Sequence, residues 1–157
     1  MEIRRAQKRD VEGILNLLVQ VNMVHHLGRP DLFKGPTTKY SEKELEQLLQ
    51  DDKRPVFVCD LEGDIVGHAF CVLQEHRGER LMEDCRTLYI DDICVDEKSR
   101  GSHIGRSLYR YAEEYARSLG CHNVTLNVWE CNPGAKAFYE AMGMKVQKTG
   151  MEKLLDA

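Results

Sequence analysis

Apolar positions along this chain change their period several times, and each change marks a new element. Val11, Ile14, Leu15, Leu18 and Val21 recur at three- and four-residue spacing, which predicts a helix with Asp10 as its N-cap. From residue 22 the spacing fails. Gly28, Pro30, Gly35 and Pro36 interrupt helix, so residues 22–40 read as a long loop carrying His25, His26, Leu32, Phe33 and Tyr40. A loop of that length in a compact domain is often functional, and this one is expected to line a site. Ser41 and Glu44 then make a capping box, opening a second helix with Leu45, Leu48 and Leu49 on its buried side.

Period two follows. Residues 56–61 and 65–73 predict strands joined by a Glu62-Gly63-Asp64 hairpin turn, and 86–95 returns as a strand after a polar connection at 75–84. Residues 3–5 predict a short first strand. Ile104, Leu108, Ala112, Tyr115 and Leu119 put one face of the next helix on the sheet. Its wet face carries Arg106, Arg110, Glu113, Glu114 and Arg117, and Gly120 ends it. Residues 122–128 alternate Val124, Leu126 and Val128, and a right-handed crossover predicts this strand parallel to 86–95. Asn132 and Pro133 start a last helix that Gly143 closes, and 144–155 reads as extended with a turn at Gly150. The fold class expected is α/β (α+β), a mixed and mostly antiparallel sheet with one parallel strand pair, flanked by about four helices.

Composition narrows the classes. An apolar fraction of 42% with 31% charged residues suits a single domain spanning 1–157 with a proper core. The net charge of −4 argues against a nucleic-acid footprint, and no apolar run predicts a membrane span or signal segment. The six cysteines lack C-x-x-C spacing, and Cys59, Cys71 and Cys94 fall inside predicted strands as small apolar residues. A reduced, cytoplasmic protein is expected. The six histidines show no metal-ligand spacing, so no metal is expected either.

Chemistry concentrates in residues 89–108, YIDDICVDEKSRGSHIGRSL. An apolar strand passes through a polar turn into a helix start, whose first amides lack intrahelical partners and attract a diphosphate. No G-x-G-x-x-G occurs, and Gly101 to Gly105 is one residue short of a P-loop, with Arg106-Ser107 in place of Lys-Ser/Thr. Arg100 and Gly105 match the ends of Gln/Arg-x-x-Gly-x-Gly/Ala, the signature of the GNAT superfamily of acyl-CoA-dependent N-acetyltransferases, with His103 at the middle glycine. Asn132, Ala135, Phe138 and Tyr139 resemble the family's second signature, Asn-x-x-Ala-x-x-Phe-Tyr, followed by Gly143.

The resemblance implies acetyl-CoA as cosubstrate and direct acetyl transfer to a primary amine in a ternary complex. The acceptor is left open between a small amine or polyamine and a peptide amine. In the family the two parallel strands splay so that cofactor enters between them. Backbone groups of Ile93, Cys94 and Val95 would then meet the pantetheine arm. Arg100, Gly101, Ser102, His103, Ile104, Gly105 and Arg106 would hold the pyrophosphate, mostly through amides. His103 keeps the amide, at small cost if its φ is helical. Asp91-Asp92 interrupts an apolar strand where aspartate is disfavoured. Period two sends the pair to opposite faces, so one of them meets the covered or cleft side. Polyamine-acetylating family members carry an acid pair here, which makes Asp91 the candidate base or amine-steering carboxylate, with Asp92, Glu130 and water as alternatives. Asn132 is an N-cap, with a cofactor contact added by the resemblance. Phe138 and Tyr139 face about 100° apart on a helix, so both cannot centre the core. The family assigns Tyr139 the proton for the coenzyme A thiolate. Trp129 reads equally as core or acceptor wall. A non-catalytic acyl-CoA-binding module is the alternative to an enzyme, and a homodimer is compatible with the fold class.

Overall fold

The computed structural model describes residues 1–155. The chain forms two compact units, Met1–Asn127 and a second beginning at Val128. The first unit holds a five-stranded sheet in the order β1 (Glu2–Arg5), β2 (Val56–Leu61), β3 (Asp64–His76), β4 (Cys85–Val95) and β5 (Asn123–Leu126). Neighbours are antiparallel except β4 and β5, which run parallel as the crossover rule requires. Its helices are α1 (Val11–Gly28), α2 (Glu42–Leu48) and α3 (Ile104–Ser118). The second unit carries α4 (Pro133–Ala141).

Alternation along the strands divides the two faces. Val56, Val58 and Phe70 join Ile14, Leu18, Leu45 and Leu48 in a core beneath α1 and α2. On the other face Phe57 meets Tyr111 and Tyr115 of α3 edge-on, with ring centroids 4.9 and 5.1 Å apart. Gly67 lets α3 come close. A Cβ there would meet Leu108 Cδ1 at 2.9 Å and the Cys94 carbonyl oxygen at 3.2 Å. The hairpin turn puts Glu62 at φ 52° and Gly63 at φ 96°, the primed geometry that matches strand twist. Ser41 and Glu44 form the reciprocal capping bonds of α2. Glu113 pairs with Arg117 at 3.3 Å on the wet face of α3.

Four expectations need correction. Helix α1 does not stop near residue 21 but runs to Gly28, taking in His25 and His26. Tertiary bonds support that extension: Asn22 Nδ2 donates to the Lys34 and Gly35 carbonyls, and His26 Nδ1 lies 2.7 Å from the Phe33 oxygen. Asp10 makes no side-chain cap. Its carboxylate instead accepts from Arg4 at 2.7 and 2.9 Å and from the Gln7 amide. The strand expected at 122–128 shortens to Asn123–Leu126. Residues 144–155 form no strand among the described residues.

Asp10 is 4% exposed. Burial opposes its ionisation, but the Arg4 guanidinium and the Gln7 amide outweigh this and hold the carboxyl below its usual range. A carboxyl depressed in the folded state stabilises above its unfolded value, near 3.9, and loses that contribution as pH falls through the folded value. Asp10→Asn is therefore expected to cost about 3 kcal/mol at pH 7, leaving the Arg4 guanidinium to Asp60 and the Arg5 carbonyl, and to lose much of that penalty in acid. Urea unfolding at pH 7 and pH 3 measures both.

Candidate functional site

Strand β4 is where the sheet changes character. Its ladder to β5 pairs Thr87 with Asn123 through Ile90 with Leu126, while β4 itself continues to Val95. Beyond Ile90 the edge of β4 on that side has no ladder partner among the described residues. Such an edge offers backbone N–H and C=O groups to an extended amide chain. Ile93, Cys94 and Val95 lie along it. Cys94 turns its thiol to the Leu17 carbonyl of α1 at 3.6 Å, and burial pushes that thiol up to about 12. Cys71 is likewise pushed by burial to about 12. These thiols are inert packing residues, as their strand positions suggested.

Asp91 sits where the ladder ends. On β3, Phe70 pairs with Asp92 and Cys71 with Ile90, so Asp91 is the extra residue of a β-bulge. The bulge corrects the expectation that the two carboxylates face opposite ways. Asp92 lies opposite Phe70, whose side chain belongs to the α1–α2 face. Asp91 reaches Lys39, in the segment between α1 and α2, and thus turns to the same face. Both charges also act on the Lys39 ammonium. Burial lowers the Lys39 value, but the hydrogen bond and charge of Asp91 outweigh it and leave the ammonium raised.

Two partners of the acid pair were missed from sequence. One is Lys39. The other is His68 on β3, fully buried, whose Nε2 lies 2.8 Å from Asp92 Oδ2. The His68 ring stands perpendicular to Phe70 with centroids 4.9 Å apart. An ionised carboxylate only accepts, so Nε2–H is the donor to Asp92. Nδ1 is buried without a partner. Asp92 is therefore occupied in holding the bulge, whereas Asp91 faces an exchangeable surface cation. A histidine inside the apolar run 64–73 was the signal for this pair. Lys39 left none, since its partner is distant in sequence.

The turn after β4 leads into α3. Asp96 accepts from the Lys98 amide, and a short 3-10 turn at Glu97–Ser99 brings the chain to Arg100. Gly101 takes φ 88°, with open space where a Cβ would stand. His103 takes φ 63°, and its side chain makes no cap. The condition for a small cost, a helical φ at His103, is thus not met: this is left-handed backbone, which favours glycine. The first helical bond runs from the Ser107 amide to the His103 carbonyl at 3.0 Å. The amides of Ile104, Gly105 and Arg106 precede it and need an outside acceptor. Gly101, Ser102 and Arg106 are exposed and Ile104 is buried, so the turn presents backbone while Ile104 anchors it. His103→Gly should relieve a left-handed residue at the cost of a more flexible unfolded chain, for a net gain of up to about 1 kcal/mol. Coenzyme A affinity should change less than about tenfold. Melting temperature and calorimetric titration measure the two effects.

The second unit holds the remaining candidates. Glu130 is exposed in the turn before α4. Asn132 caps that helix, accepting from the Ala135 amide at 3.2 Å, with Pro133 in its first turn. Tyr139 lies on α4 beside Phe138, rings 5.1 Å apart and 67° inclined, and Gly143 turns the chain at φ 98°. Trp129 is 41% exposed and accepts, through its carbonyl, from the Asn132 amide at 2.9 Å.

The strand, turn and helix start that make this site recur in known proteins. A crystal structure of a mutant form of a Bacillus halodurans protein is similar with a TM-score of 0.94, at 32% identity over 99% of each chain. Glucosamine 6-phosphate N-acetyltransferase of Arabidopsis thaliana is 26% identical over an alignment of 102 positions that covers 57% of this chain and 66% of that one. An N-acetyltransferase of Methanocaldococcus jannaschii is 29% identical over 143 residues, 91% of this chain and 60% of that one. The chain thus spans under two thirds of the length of these two curated relatives. A family model matches residues 21–144, from α1 through α4. On that match, and with both signatures in place, the chain belongs to the acetyltransferase (GNAT) family.

Proposed function

We propose that this chain is an N-acetyltransferase that moves the acetyl group of acetyl-CoA to a primary amine by direct attack in a ternary complex. The observation that carries the reading is the end of the β4–β5 ladder at Ile90, with Asp91 bulged out at that point. A free strand edge, a carboxylate and a helix start with open amides follow one another within a single stretch of chain.

Each part answers a chemical need. The diphosphate of the cofactor takes the turn at residues 100–106, mostly through main-chain amides such as those of Ile104, Gly105 and Arg106, with Arg100 and Arg106 adding charge. The pantetheine arm takes the β4 edge at Ile93, Cys94 and Val95. The acceptor reaches the site as an ammonium and must lose a proton to attack, which Asp91 receives. Glu130 is the second carboxylate available for that task. The thioester is already activated, so no covalent enzyme intermediate is needed, and positioning does much of the work. Tyr139 protonates the departing thiolate, and Asn132 adds a cofactor contact to its cap. No metal enters the reading.

The acceptor class is a small amine or polyamine, or a peptide amine. The Arabidopsis relative is named for a phosphorylated amino sugar, so glucosamine 6-phosphate belongs in the first panel of acceptors. The reading takes 1–157 as one N-acetyltransferase domain, cytoplasmic, with no nucleic-acid or membrane partner and a homodimer as the assembly to measure. Among the described residues no helix is long and apolar enough to cross a membrane. The test is thiol release from acetyl-CoA against amines, polyamines, amino sugars and peptides. Amine-dependent release supports the enzyme, whereas coenzyme A binding without release for any amine returns the chain to a sensor module.

A further inference from the structure

Lys39 is held in place from both sides. Upstream, Asn22 Nδ2 ties the Lys34 and Gly35 carbonyls to α1 at 3.0 and 2.9 Å. Downstream, the Tyr40 ring stacks on Phe70 with centroids 5.9 Å apart, and its hydroxyl accepts from Arg54 at 3.1 Å. Thr38 Oγ1 donates to the Tyr40 carbonyl at 2.7 Å, tightening the turn between them. From that mount the Lys39 ammonium reaches Asp91 and lies 5.5 Å from the Tyr40 ring centroid. The lysine side chain is 55% exposed, and exposed ion pairs contribute little to stability. Fold stability is therefore a weak reason for the arrangement.

Its chemistry is a stronger one. A primary amine on a four-carbon stem stands against the carboxylate that receives the acceptor in the reading above, on which this inference rests. We propose that Lys39 occupies the acceptor position as an internal amine, and that with acetyl-CoA and no external amine it is acetylated on Nζ. The ammonium first loses a proton to solvent through Asp91. The neutral nitrogen attacks the thioester carbonyl carbon, forming a C–N bond as the carbonyl π pair moves to oxygen. Collapse of that intermediate breaks the C–S bond, and the thiolate leaves with the bonding pair. The nitrogen gives up its second proton, the thiolate gains one, and the products are an amide and free coenzyme A.

The resting lysine is kept protonated by Asp91 even though burial works the other way. It is thus a placeholder rather than a rival to a well-bound acceptor. Acetylation removes its charge and its hold on Asp91, which opens the carboxylate to an external ammonium. The site would also prefer acceptors that arrive as cations, since they must replace one.

The experiment is incubation of the full chain with acetyl-CoA alone, followed by intact mass and peptide mapping. One acetyl group per chain should accumulate at Lys39, at least about tenfold faster than at exposed Lys145 and Lys148, which react without positioning. Lys39→Arg keeps the charge and should remove that product. Equal rates at Lys39, Lys145 and Lys148 overturn the inference. Asp91→Asn separates it from the reading beneath it. Rapid Lys39 acetylation that survives this change keeps the internal amine and removes Asp91 as base. Asp91-dependent turnover of an added amine, with Lys39 never acetylated, keeps the base and overturns the internal amine.

Discussion

Asp91→Asn is expected to lower kcat/KM for the acceptor amine by about 10²–10⁴, the usual worth of a positioned general base. The substitution preserves volume and can still accept a hydrogen bond from Lys39, so the bulge and the fold should persist. On the proposed mechanism, what disappears is the negative charge that draws an ammonium and the oxygen that takes its proton. Coenzyme A binding should be unchanged, because the diphosphate turn lies further along the chain at residues 100–106. Asp92→Asn is the matched control. Its carboxylate is already engaged by buried His68 at 2.8 Å, so its loss should lower stability more than turnover. Steady-state kinetics and urea unfolding on both variants distinguish the two aspartates. A larger kinetic loss from Asp92→Asn would move the base to the His68–Asp92 pair.

Tyr139→Phe should lower kcat by a similar factor for a different reason. A thiolate leaving group carries charge that does not exist in the ground state, so its proton donor matters only in the transition state. The ring of Tyr139 lies 5.1 Å from Phe138 on α4, and phenylalanine keeps that contact. Melting temperature, and its rise on adding coenzyme A, should therefore match wild type. The decisive measurement is single-turnover acetyl transfer, where product release cannot mask chemistry. An unchanged single-turnover rate would make Tyr139 a packing residue and leave protonation of the thiolate to water.

Local sequence was sufficient wherever a property depends on near neighbours. The capping box at Ser41, the Asn132 cap, the hairpin at Glu62-Gly63 and the amphipathic face of α3 are short-range arrangements, and each stands where the pattern put it. The signatures around Arg100–Gly105 and Asn132–Tyr139 likewise identified the family, because they encode local backbone: a turn into a helix start and a capped helix. Four features were decided only by the tertiary structure. Helix α1 ran past its apparent end because Asn22 and His26 found carbonyls in the following segment, outweighing weak intrinsic periodicity. Asp91 and Asp92 came to one face because a bulge added a residue to β4, and period-two reasoning assumes an unbroken ladder. His68 and Lys39 met the two carboxylates through pairing across β3 and β4 and through the anchoring of residues 29–41, contacts whose partners lie far apart along the chain. The sign of φ at His103 belongs with them. A side chain names the conformations it tolerates, and the entry into α3 takes His103 at φ 63°.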